Sequence, residues 1–323
     1  MVEQVAQTPE NGADDAAYAK LTATMAMQLA APHTWPAAIL PVLFATALAG
    51  IWHGSLSVTL VLSLLVICVL MQASVNTLND YYDFVKGADN IENQLDPTDA
   101  VLVYNNVNPK SALKLAVGFL AAAFALGVYV IVAAGWIPLA IGLVGAGIIV
   151  LYSAGKSPLS YLPVGEFVSG ITMGGLIPLA CYQALTGSFS WTVLLLSVPL
   201  VCGIGLIMFT NNTCDIEKDA AADRKTLSVL LGRERARAAY HGTIVAWMAS
   251  IVVFSAVFFP AGLIVAPFML IALYPAASAL WKNPLTPATR LQAMPQCLNL
   301  NIALGAFYAA AILMGGVVQL CAF

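Results

Sequence analysis

The stretch SVNTLNDYYDFVKGADN (residues 74–90) starts as the end of an apolar run and turns within a few positions to Asn, Asp, Tyr and Lys. The chain around it has 323 residues, 60% of them hydrophobic and only 9% charged. A soluble domain of that length needs far more polar surface, so the composition places the chain among integral membrane proteins. The quoted stretch is then the exit of a membrane helix into a polar loop.

Working outward, apolar stretches of roughly 20 residues, the length that a helix needs to cross a bilayer, recur along the chain. They lie near 35–53, 56–78, 112–133, 136–153, 165–186, 190–212, 237–258, 261–281 and 299–321. The expected fold is all-α, with nine transmembrane helices in one domain over 31–323. Residues 1–30 open with an acidic, Ala-rich tail whose only cation is Lys20, unlike the basic start of a cleaved signal peptide. That tail is expected to be soluble or interfacial. Six scattered cysteines without CxxC spacing offer neither a disulfide framework nor a zinc site.

With nine spans, the N-terminal tail and the connections after the second, fourth, sixth and eighth helices share one face. All 13 Lys and Arg residues and all 16 acidic residues fall there. The opposite connections, such as AGIWHGS and AAGWIP, carry no formal charge. The positive-inside rule makes the charged face cytoplasmic, in a multi-pass protein of the cell membrane with a cytoplasmic N-terminus. The long loops on that face hold most of the polar residues, so any chemistry belongs there.

The opening stretch has a second version. NTLNDYYD (Asn76 to Asp83) aligns without gaps to NTCDIEKD (Asn212 to Asp219), each at the end of an apolar helix. The frame sets Asn79 opposite Asp215 and Asp83 opposite Asp219, and extends to Asp223 opposite Gly87. Spacing by four stacks side chains on one side of a helix. Asn79 and Asp83 are therefore expected in one column, and Asp215, Asp219 and Asp223 in another. Hard oxygen ligands of this kind suit Mg²⁺, which is held by one or two carboxylates and completed by water and substrate phosphate. Two facing columns point to Mg²⁺-dependent handling of a diphosphate ester, with Asp83, Asp215 and Asp219 as catalytic residues. The plainer alternative is a pair of solvated loops whose Asn residues cap helix ends.

Cations are expected beside such columns. Arg224 and Lys225 follow Asp223 directly, and Lys156 lies on the same face in YSAGKSPLSY; each also serves to orient the chain. Asn76 and Asn212 open the two motifs and are further candidates for diphosphate contacts. Glu166 could act as a base or orient an acceptor hydroxyl, or simply favour a helix N-terminus. Tyr152 is a candidate for acceptor contacts, and tyrosines here also fit an interfacial belt. Nothing in the composition points to a nucleic-acid partner.

At these residues the chain resembles the UbiA superfamily of intramembrane prenyltransferases, and most of all its 1,4-dihydroxy-2-naphthoate branch. The resemblance is carried by PHTWPAAILPVLFATALA, NDYYDFVKGAD, YSAGKSPLSYLPVGE and NNTCDIEKDAAADRKTLSVLLG, and it covers the chain from about residue 30 onward. It implies nine helices around a central cavity, Mg²⁺ and prenyl diphosphate bound between two acidic motifs, and a lateral opening for the lipid tail. Residue by residue, it assigns metal ligation to Asn79, Asp83, Asp215, Asp219 and Asp223. Transfer of the prenyl group to the naphthoate, with loss of its carboxylate, is the reaction implied. Two departures stand out: Gly87 where some members have Asp, which leaves open whether Asp89 substitutes, and Ala31 where relatives commonly have Arg. Other acceptors (4-hydroxybenzoate, homogentisate, haem, a glycerol phosphate) stay open, as does a secondary transporter built from similar repeats.

Overall fold

Ser57, Asn108 and Thr226 each stand directly before an apolar run, and each caps a helix. Their side chains accept from the main-chain N–H of Leu60, Lys110 and Val229, satisfying donors that a helix start leaves unpaired. Pro109 and Pro36 occupy first-turn positions, where a missing N–H costs nothing.

The computed structural model describes residues 18–87, 100–155 and 157–321, without the side chains of 317–321. The helices are α1 (Ala23–Leu29), α2 (Pro36–His53), α3 (Val58–Val85), α4 (Val101–Tyr104), α5 (Pro109–Ala134), α6 (Ile137–Ser153) and α7 (Gly165–Ile171). They continue with α8 (Ile177–Thr186), α9 (Trp191–Leu196), α10 (Val198–Cys214), α11 (Ile216–Ala221), α12 (Leu227–Phe258), α13 (Val265–Lys282) and α14 (Arg290–Cys321). Among the described residues there is no β-strand, only an isolated bridge between Ala19 and Val107. Seven helical segments among the described residues are long and apolar enough to cross a membrane, making this a multi-pass membrane protein. The shorter apolar helices α6 and α10 fall on two further predicted spans.

Three boundaries differ from expectation, each for a polar reason. α3 runs on to Val85, so the first motif is its last two turns rather than a loop. α12 begins at Leu227, ten residues early, and turns at Gly232, whose φ of 71° suits a residue without Cβ. Its Arg233 is satisfied at the surface by Glu217 at 2.7 Å and by the carbonyl of Thr213 at 3.2 Å. α14 likewise starts at Arg290, ahead of the apolar run.

The fifth predicted span divides into α7, a π-helical segment Thr172–Leu176, and α8. Its glycines allow close packing on α10: a Cβ on Gly174 would meet the Val201 nitrogen at 2.5 Å, and one on Gly170 the Val201 carbonyl oxygen at 2.7 Å. This spacing of small residues lets helix backbones approach within a membrane. It presses the helix that ends in the second motif against the helix whose first turn carries Glu166.

The charged helix ends gather at one end of the bundle, where α3, α6, α7, α11, α12 and α14 exchange polar contacts. At the other end, the His53 ring and the Tyr182 hydroxyl lie 2.8 Å apart, tying α2 to α8.

Candidate functional site

The first motif rises from a polar ladder on α3. Gln72 donates to Asn76 at 3.2 Å, and Asn76 donates to the Thr34 hydroxyl at 2.8 Å and the Ala30 carbonyl at 3.1 Å. Asn76 thus anchors the chain entering α2, next to Ala31, which holds a left-handed φ of 46°. Asn79 stands one turn further on, and its side-chain oxygen accepts from the Ser153 hydroxyl at the end of α6. Asp83 follows at the next turn, as the spacing of four requires.

The second motif is built differently. α10 stops at Cys214, Asp215 takes a non-helical conformation, and α11 starts beyond it. The Asp219 N–H still donates to the Asp215 carbonyl at 2.8 Å, so these two residues keep one helical turn between them. Asp223 leaves the expected column: α11 ends at Ala221, and Asp223 is an exposed residue with φ 55°. The three-residue stack expected from spacing alone is therefore a two-residue one, because the helix ends before a third turn.

The two motifs meet through Arg224. Its Nη2 lies 2.5 Å from Asp83 Oδ1, and its Nη1 lies 3.6 Å from Asp219 Oδ1. The guanidinium carbon also sits 4.4 Å from the centre of the Tyr161 ring, on whose face Lys86 Nζ rests at 4.8 Å. Such cation–aromatic contacts are worth about 0.5–2 kcal/mol each, more when water is excluded. The loop between α6 and α7 is in this way clamped to both motifs.

A second arginine does similar work. Arg290 Nε lies 3.2 Å from Asp215 Oδ2, and the Arg290 guanidinium donates to the Asn211 oxygen at 2.8 Å. In the sequence Arg290 is only one more cation of the charged face, since its contact with Asp215 spans 75 residues and no local pattern announces it. Tyr161, Lys86, Ser153 and Asn211 were missed as site residues for the same reason.

Burial dominates the electrostatics. Asp219 is 3% exposed, and desolvation pushes its carboxyl up to about 7, with the Arg224 guanidinium pulling the other way and Asp215 and Asp83 adding to the rise. Glu217, paired with Arg233, is held below the usual carboxylate range.

Below the motifs lies a cavity of about 220 Å³ between α3, α5, α6 and the α7–α8 segment. Asn76, Asn79 and Tyr152 mark its polar part, while Phe124, Pro138 and Ile177 are among its mainly apolar lining. Beside it, Asn212 donates to Glu166 Oε1 at 2.8 Å, with both residues buried. Among the described residues Glu166 Oε2 and the Tyr152 hydroxyl are buried without a hydrogen-bond partner, a costly arrangement that a bound hydroxyl or water would relieve.

Among the predicted residues, the structure brings together Asn79, Asp83, Asp219 and Arg224, with Asp215 one turn from Asp219. Asn212 serves Glu166, and Asn76 serves the α2 entry. Lys225 contributes its main-chain N–H to the Tyr161 carbonyl at 2.8 Å, with its side chain exposed. Lys156, Asp89 and the tail before residue 18 lie outside the described residues.

The donor set suits a hard divalent cation. Among the described residues no three His, Cys, Asp or Glu side chains are close enough to enclose a metal by themselves. Mg²⁺ takes few protein ligands and fills the remainder with water and phosphate oxygens. The Arg224 guanidinium, bridging carboxylates of both motifs, shows that a positive group fits between them.

Comparison with known proteins gives this arrangement a context. The chain is 37% identical over 209 residues to the 1,4-dihydroxy-2-naphthoate octaprenyltransferase of Bacillus subtilis, covering 65% of this chain and just under two thirds, 66%, of that protein. It is 31% identical to the protein of the same name from Mycobacterium tuberculosis, covering 81% of this chain and 89% of that one. In fold it matches a UbiA homologue from Archaeoglobus fulgidus, solved with DMAPP and Mg²⁺, at a TM-score of 0.61 and 16% identity, covering 89% of this chain and 98% of that one. Residues 38–302 match the UbiA prenyltransferase family, and the chain belongs to it.

Proposed function

We propose that this protein transfers a polyprenyl group from a prenyl diphosphate to an aromatic acceptor, with 1,4-dihydroxy-2-naphthoate the leading candidate. The observation that carries the reading is the Arg224 bridge. It ties Asp83 of one motif to Asp219 of the other beside an apolar cavity, so oxygen ligands and a cation converge where an apolar chain can lie. The names of the Bacillus and Mycobacterium relatives favour the naphthoate, and the Archaeoglobus homologue's ligands favour Mg²⁺ and a prenyl diphosphate.

Asn79, Asp83, Asp215 and Asp219 would hold Mg²⁺, with Arg224, Lys225 and Lys156 toward the diphosphate. Bound there, Mg²⁺ supplies Lewis-acid neutralisation of the leaving diphosphate. The chain's own groups do the rest. The apolar wall of the cavity keeps water from the allylic cation that ionisation leaves. Glu166, held through one oxygen by Asn212, accepts a hydrogen bond from the acceptor's ring hydroxyl with its other oxygen, and Tyr152 orients the acceptor. The electron-rich ring then forms the new carbon–carbon bond and loses its carboxylate. The sidedness of the charges favours nine spans with the motifs on the cytoplasmic face.

The test is to incubate purified protein with Mg²⁺, one prenyl diphosphate and a panel of aromatic acids, and to weigh the products. A prenylated, decarboxylated naphthalene product is expected. A product from another acid moves the protein to a different acceptor, and no prenylated product from any acid overturns the reading.

A further inference from the structure

Arg224 is fixed by its main chain, and its side chain is held by charge contacts that another cation or anion could exchange. The Arg224 N–H donates to the Asp219 carbonyl and the next N–H to the Tyr161 carbonyl, both at 2.8 Å. These bonds fix the main chain. The guanidinium reaches Asp83 at 2.5 Å and Asp219 only at 3.6 Å, while its Nε is buried without a hydrogen-bond partner among the described residues. Its central carbon lies over the Tyr161 ring, a support that requires no carboxylate.

A guanidinium keeps its charge at any physiological pH, so it cannot admit a second cation by losing a proton. It can yield the two carboxylate oxygens only by moving aside. Asp83 Oδ1 and Asp219 Oδ1 are the oxygens it covers, and they belong to the carboxylates assigned above to the metal.

Building on the proposed function, we infer that Arg224 and the divalent cation compete for Asp83 and Asp219. Metal loading drives the guanidinium off the carboxylates while Tyr161 and the anchored main chain keep it at the site. Freed in this way, it meets the diphosphate that arrives with the metal. Arg224 thus acts as an internal counter-cation that exchanges a carboxylate partner for a phosphate partner, and it couples the order of binding: metal before full engagement of the diphosphate.

The exchange predicts effects of opposite sign from one substitution. Mn²⁺ serves as the probe, its free aquo ion counted by electron paramagnetic resonance in the purified full-length chain. Arg224→Gln is expected to bind Mn²⁺ at least fivefold more tightly than the parent, because a competitor is gone. With Mn²⁺ present, the same variant is expected to bind a prenyl diphosphate at least tenfold more weakly. A residue that only braces the fold would weaken both. Arg224→Lys, whose single ammonium cannot span two carboxylates, should shift both affinities in the same directions by less, and it decides the matter if the Gln variant does not fold. Unchanged or weaker Mn²⁺ binding in the variants, with the parent binding normally, overturns this inference alone. A parent that takes up no Mn²⁺, with or without prenyl diphosphate, overturns the metal reading beneath it as well.

Discussion

Gly87 and Asp223 occupy the same place in the two copies of the repeat and share the same unusual backbone, with φ of 74° and 55°. Each follows the C-cap of a helix, Lys86 in α3 and Ala222 in α11. The correspondence is therefore one of chain termination, which favours glycine in the left-handed region. Asp223 fills a turn position there and faces solvent.

Asp223→Gly is accordingly expected to keep metal binding and turnover. Relief of the left-handed strain, about 1–2 kcal/mol for a residue with Cβ, is partly offset by the freer unfolded chain, about 0.4–1 kcal/mol. Thermal melting should show the variant at or above the parent. Loss of the Mg²⁺-induced rise in melting temperature would restore Asp223 as a ligand.

Asp83→Asn and Asp219→Asn remove charge without removing shape. Each should lower turnover by about 10²-fold or more, the scale of losing one transition-state electrostatic contact, while the chain still folds. Steady-state rates and a melting curve for each variant check this. Full activity in the double variant would end the assignment.

The high carboxyl pKa of Asp219, about 7, sets a pH dependence. Between the ordinary Asp range near 4 and that value, the folded chain keeps a proton that the unfolded chain releases. Its contribution therefore makes the fold less stable as pH rises through this window. Metal binding needs the ionised form, so it runs the opposite way: affinity should fall as pH drops below 7, towards about tenfold per unit if one proton is displaced. Metal titrations at pH 6 and pH 8 read this directly. Equal affinity at the two would show that Asp219 titrates elsewhere.

Gly174→Ala tests the packing that carries the site. The added Cβ would meet backbone at 2.5 Å, which cannot yield as a flexible side chain can. A loss of about 1–3 kcal/mol is expected, the usual cost of overpacking. Because α7 and the π-helical segment after it would separate from α10, the 2.8 Å Asn212–Glu166 bond should loosen and the KM for the acceptor rise more than the KM for the prenyl diphosphate. Equal changes in both would detach Glu166 from acceptor binding.

The helices themselves were legible in the sequence. In a bilayer the backbone must satisfy its own hydrogen bonds, so an apolar run of sufficient length is a helix whatever its neighbours, and an apolar helix falls on each segment predicted. The repeat was legible too, because Asn76 to Asp83 and Asn212 to Asp219 align in one dimension. Helix ends were less so: the polar residues of 79–85 and 227–236 suggest loops until their partners across the bundle are known.

Sequence alone determined the membrane class, the apolar helices and the two oxygen-rich motifs, since each follows from short-range composition and spacing. Tertiary structure alone decided that Arg224 bridges Asp83 and Asp219, that Arg290 faces Asp215, and that Asn212 holds Glu166. The contacts of Arg224 with Asp83, Arg290 with Asp215 and Asn212 with Glu166 join residues 46 to 141 positions apart. Their energy depends on distance and burial, which no local pattern records, and the close approach of α7 to α10 is what makes the last of them possible.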